Sequence, residues 1–121
     1  MKLEDKGYNM KIKTETSIII ALTTIKLFEF NLKGKKASLL RELTSKDSQF
    51  INEVKCNCII EKELPVGVVL TKLMGGVTKI VKEQIGNLTK EESALLMRLL
   101  QNTFNEQLYI VIDEEYAELN M

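Results

Sequence analysis

The chain has 121 residues with 17 basic and 17 acidic side chains, so its net charge is zero and it lacks the broad positive field of a general nucleic-acid binder. Its apolar fraction of 45% suits one compact core and excludes a disordered chain, while apolar runs such as Ile18 to Leu22 are far too short to span a bilayer. The charge is uneven: residues 1–62 hold 12 basic and 8 acidic side chains, residues 63–121 hold 5 and 9, a net +4 and −4 that suits docking against a charged partner.

Met1 and Met10 are both candidate starts. The segment ahead of Met10 is polar and has no period, so residues 1–9 read as a leader or mobile N-terminus and residues 10–121 as a single globular domain. Counted from Met10, lysines precede an apolar stretch as in a secretory signal, but Glu15 interrupts the basic region and no small-x-small cleavage site follows. A cytoplasmic protein is expected. Met10, Ile12 and Thr14 alternate with Lys11 and Lys13, which predicts a half-buried strand. Thr16 or Ser17 then caps a helix to about Phe30, with Ile18, Ala21, Leu22, Ile25 and Phe28 facing inward. The β-branched density of 17–23 also fits a strand. Residues 31–36 form a polar connection with Gly34 as a helix stop.

Leu39, Leu40, Leu43, Phe50, Ile51, Val54 and Cys58 recur at helical spacing. Asp47 interrupts the stripe, and both one long helix and two short ones fit. Pro65 ends this section. Val66, Val69, Leu70, Leu73, Val77, Ile80, Val81 and Ile85 predict the next helix. Gly75 and Gly76 inside it mark a kink or a close backbone approach, and Gly86–Asn87 ends it. Thr89 followed three residues later by Glu92 is a capping box, which starts a helix lined by Leu95, Leu96, Leu99, Leu100 and Phe104. Leu108, Ile110 and Ile112 alternate with Tyr109 and Val111, so 108–113 reads as a strand. The expected fold is α+β, mainly α: three to four helices with a small antiparallel sheet pairing 10–14 with 108–113.

The sequence has no histidine, which removes His-activated serine or cysteine nucleophiles and the commonest metal ligand. Cys56 and Cys58 point about 200° apart on a helix, so Cys58 reads as a core filler and Cys56 as a surface thiol. Two thiols are fewer than the four ligands of a structural zinc site. No phosphate-binding glycine pattern occurs. The consecutive Asp113, Glu114 and Glu115 cannot all face one pocket. The chain therefore reads as no enzyme, with no cofactor and no metal. Lys33, Lys35, Lys36 and Arg41 gather beside Gly34 and are candidates for a partner contact, or for phosphates, although aromatic interleaving is missing. Tyr109, Val111 and Tyr116 lie off the core stripes and are candidates for an apolar contact, with Asp113, Glu114 and Glu115 as its acidic edge.

The stretch LFEFNLKGKKASLLREL resembles a lysine–glycine–lysine segment in a small family of phage proteins from Gram-positive hosts, some members of which are linked to sensitivity to an abortive-infection defence. The motif match runs from Leu32 to Ser38; Leu39 stands where the family has its first arginine, and Arg41 is retained. The resemblance implies a strand and a helix before this segment, helices after it, and a terminal apolar strand. It also implies a phage or prophage protein in the host cytoplasm that binds a host protein, as an accessory or anti-defence inhibitor. A small nucleic-acid-binding regulator and a phage structural or assembly chaperone are the alternatives; no membrane partner is expected, and a homo-oligomer is compatible with each reading.

Overall fold

A computed structural model describes the backbone of residues 9–119 and the side chains of residues 9–110. Five helices and two very short strands follow in the order β1 (Asn9–Met10), α1 (Thr14–Phe30), α2 (Lys35–Ser45), α3 (Asp47–Asn57), β2 (Leu64–Pro65), α4 (Val66–Ile85) and α5 (Lys90–Leu119). The mainly helical architecture with a small antiparallel sheet is as expected, with one helix more than the expected maximum. The extra helix comes from residues 37–63, where the chain breaks at Lys46 between α2 and α3. No helix among the described residues is long and apolar enough to cross a membrane.

The sheet has a different partner from the one expected. Met10 pairs with Leu64 and Asn9 with Pro65, while 108–113 lies within α5. Alternation over six residues fits a strand, but the same residues also extend a row already under way. Leu96, Leu100, Phe104 and Leu108 are all buried at intervals of four. Extending an existing helix needs no new nucleus, and neither Gly nor Pro interrupts the chain from Lys90 to Leu119. The N-terminal strand is correspondingly short. Thr14 opens α1 with Lys13 at its N-cap and no side-chain cap, whereas Thr16 or Ser17 had the capping chemistry.

α1 is the central helix and packs against all four others, most extensively against α5. Its buried face is Ser17, Ile20, Ala21, Thr24, Ile25 and Phe28, with Ile18 and Leu22 only half-buried. The face is thus turned toward small side chains, which leave room for helices on several sides. The Ser17 and Thr24 hydroxyls are buried with no hydrogen-bond partner among the described residues, at a cost of about 1–3 kcal/mol each. The other stripes hold in their main positions, with Leu39, Ile51, Leu70, Ile85, Leu95 and Leu99 half-buried. Leu40, Leu43, Phe50, Val54 and Cys58 are buried, as are Val66, Val69, Leu73, Val77, Ile80 and Val81.

Gly76 marks a close approach and Gly75 does not. A Cβ on Gly76 would fall on the Asn57 carbonyl oxygen and lie 2.7 Å from Cys58 Sγ, so α4 passes directly under the end of α3. A Cβ on Gly75 meets nothing within 4 Å. α4 runs through both glycines without interruption and ends at Gly86, whose φ of 88° is open to glycine at little cost. Gly34, at φ 70°, is the N-cap of α2 rather than the stop of α1; Asn31 ends α1.

Candidate functional site

The loop of residues 31–34 turns the chain from α1 into α2, and the basic cluster sits on this turn. Lys33 and Lys35 are exposed and in no ion pair among the described residues. Lys36 is engaged: its Nζ donates to both carboxylate oxygens of Glu92, at 2.9 and 3.2 Å. Glu92 also completes the capping box. The Thr89 amide donates to Glu92 Oε1 at 2.9 Å, and the Glu92 amide donates to Thr89 Oγ1 at 3.0 Å. The hydrogen bond from Lys36, with that from the Thr89 amide, holds the Glu92 carboxyl below the usual glutamate range. Lys36 therefore ties the start of α2 to the start of α5. Arg41 is engaged as well, its Nε donating to Glu29 Oε1 at 2.9 Å.

The second group of candidates is separate from the first. Tyr109 is exposed on α5, 17 residues beyond Glu92, about 25 Å along a helix rising 1.5 Å per residue. Val111, Asp113, Glu114, Glu115 and Tyr116 belong to α5, with side chains outside the described residues. The basic turn and the Tyr109 region are thus two places on the molecule.

Beside the basic turn lies a groove of about 460 Å³ between the end of α1 and α2. Lys26, Glu29, Phe30, Leu32, Arg41 and Thr44 line it. Its prominent feature is Phe30, which is 87% exposed. Fully burying a phenylalanine is worth about 1.5–3 kcal/mol, and here the chain leaves that gain untaken. The helix end that carries Phe30 is tied off. The Asn31 amide donates to the Phe28 carbonyl and the Leu32 amide to the Glu29 carbonyl, both at 3.0 Å, and Asn31 Nδ2 donates to the Leu27 carbonyl at 2.8 Å. Phe30 is accordingly presented by a closed last turn beside the Arg41–Glu29 pair.

Sequence reasoning named Arg41 and the lysines but not Phe30. The signal was present: Phe28 and Phe30 are two residues apart on one helix, so their side chains diverge by about 200° and only one can face the core. Cys58 is buried and its thiol is pushed up to about 11 by desolvation, which keeps it protonated and unreactive, while Cys56 is exposed. Among the described residues, no three His, Cys, Asp or Glu side chains gather as metal ligands.

No protein-family model, curated protein or solved structure matches this chain.

Proposed function

We propose that this chain works by binding another protein, without catalysis, and that the contact is centred on Phe30 and its groove. The observation that carries this reading is a phenylalanine 87% exposed on a tied-off helix end, flanked by an arginine. Aromatic residues, phenylalanine included, and arginine are enriched at protein interfaces, and Lys26 in the lining with the exposed Lys33 and Lys35 of the neighbouring turn add positive charge that speeds encounter with an acidic surface. The absence of histidine from the sequence and the protonated state of the buried Cys58 thiol favour binding over chemistry. Taken with the resemblance of Leu32–Ser38 to phage proteins, the partner is a protein of a Gram-positive host, and the chain is a phage or prophage accessory factor, in the anti-defence sense, acting in the host cytoplasm.

Phe30→Ala tests the reading. The side chain touches little of its own fold, so stability should change by less than about 0.5 kcal/mol. Captured from host lysate on immobilised wild-type and Phe30→Ala protein, the partner should be retained by the first and lost, or weakened at least about tenfold, with the second, the effect of removing a dominant interface side chain. Equal retention by both overturns the assignment of the groove.

A further inference from the structure

A second groove lies on the face formed by α3, α4 and the loop between α3 and β2. Two adjoining hollows, of about 470 and 400 Å³, share Ile59, Ile60 and Lys72. Lys55 and Lys62 border one hollow, Lys79 borders the other, and Lys72 borders both. All four lysines are exposed, and none is in an ion pair among the described residues. One acidic residue, Glu61, stands against them in the lining.

The backbone explains the gathering. Lys72 and Lys79 are seven residues apart, two turns of α4, and so share a face. Gly76 lets the end of α3 settle onto that helix, which brings Lys55 and the following loop alongside. Gly75 leaves open backbone between the two lysines. The floor is apolar, made by Ile59, Ile60 and Leu64, and among the described residues the lining has no aromatic ring on which a base could stack. A groove of this kind suits a polypeptide that carries carboxylates beside apolar side chains, rather than a nucleic acid.

The chain itself contains such a segment. α5 continues to Leu119, eleven residues beyond Leu108, the last buried residue among those whose side chains are described. Tyr109 and Ile110 open that extension 56% and 50% exposed. The sequence then runs Val111, Ile112, Asp113, Glu114, Glu115, Tyr116, Ala117, Glu118: apolar residues and an acidic run, opposite in charge to the lysine-bordered groove. We infer that the groove of Lys55, Lys62, Lys72 and Lys79 takes the C-terminal part of α5 from a second copy of this chain.

The two surfaces differ, so the contact is head-to-tail, and successive copies build either a closed ring or a longer assembly rather than a simple two-fold dimer. The attraction between opposite charges makes the assembly sensitive to salt. It is separate from the Phe30 contact, and Phe30→Ala leaves it unchanged.

Sedimentation velocity from 10 to several hundred micromolar protein, on the order of 50 and 500 mM salt, tests this. The wild type should self-associate at low salt and dissociate at high salt. Lys62→Glu/Lys72→Glu/Lys79→Glu and Asp113→Lys/Glu114→Lys/Glu115→Lys should each weaken assembly at least tenfold while circular dichroism stays native. An equimolar mixture of the two variants should regain assembly, since the acidic groove of one meets the basic tail of the other and the native groove of the second meets the native tail of the first. Should either variant misfold, glutamine at the same three positions should still weaken assembly measurably, without charge reversal. A wild type that stays monomeric at every concentration overturns the inference. So does assembly that survives both variants, or a mixture that forms no complex.

Discussion

Two adjacent glycines in α4 show how much a single side chain depends on its neighbourhood. Helix propensity alone makes either one unfavourable by about 1 kcal/mol relative to alanine. Gly75→Ala adds a methyl to open space and should raise stability by about 0.5–1 kcal/mol. Gly76→Ala drives the same methyl onto the Asn57 carbonyl and Cys58, which are backbone and a buried side chain with little freedom to give way. It should lower stability by about 1–3 kcal/mol. Urea melts of the two variants decide it, and equal signs would remove the close approach of α3 on α4. The sequence marked both positions as a kink or a close approach without separating them, because the separation depends on Asn57, nineteen residues away in the chain. The cysteines were easier to place: two side chains two residues apart near the end of one helix divide between core and solvent on geometry alone, and Cys58 is buried while Cys56 is exposed.

Among the elements, α5 contains both the best and the worst of what the sequence revealed. Its start was written in Thr89 and Glu92, and the reciprocal bonds of the capping box are both present. Its continuation through 108–113 was hidden, because a six-residue apolar alternation is compatible with a strand and with the extension of a helix. What settles it is the row from Leu96 to Leu108, whose burial depends on α1 lying alongside. Nor does any local pattern announce that Asn9–Met10 pairs with Leu64–Pro65, since two residues a side are too few to show a period. The Glu92 link makes a pH prediction. Its carboxyl is held below its ordinary value in the folded state, so the unfolded chain binds the proton more readily. The stabilisation is present above the unfolded-state value, about 4.3, and disappears as pH falls through the lowered folded-state value. Glu92→Gln should therefore melt below wild type at pH 7, and the gap should close on acidification to about pH 2–3. A gap that persists unchanged at low pH would show that the carboxylate charge contributes nothing.

At the scale of the whole molecule, the lysines of one short turn have different duties. Lys33 and Lys35 are exposed, and Lys35 lies in the first turn of α2, where the helix dipole disfavours a cation. Replacing both with glutamine should leave the melting temperature unchanged or slightly raised, while slowing encounter with an acidic partner at low salt. Lys36→Gln cuts the bridge between α2 and α5 and should cost about 0.5–1 kcal/mol, the upper part of the range for a partly exposed pair. Thermal melts of the double and single variants separate the two roles, and equal effects would mean the Lys36–Glu92 pair holds nothing. The basic cluster was legible as composition, but its division into two exposed cations and one strut was not, because the strut joins residues 56 apart in the chain. Phe30 was legible only by exclusion from the inward face, and the four groove lysines only as the seven-residue spacing of Lys72 and Lys79.

The central position of α1 bears on how the chain comes into being. Of the five helices described, the one synthesised earliest is apolar on several sides, and its largest contact is with the one synthesised latest. During synthesis, Ile20, Ile25 and Phe28 leave the ribosome well before Leu96, Leu100 and Phe104 exist to cover the side that α5 occupies. At about 5–20 residues per second the gap is several seconds, long compared with the microseconds in which a helix forms. For that interval the side of α1 that α5 covers is without its partner, and α5 closes that apolar seam as it arrives.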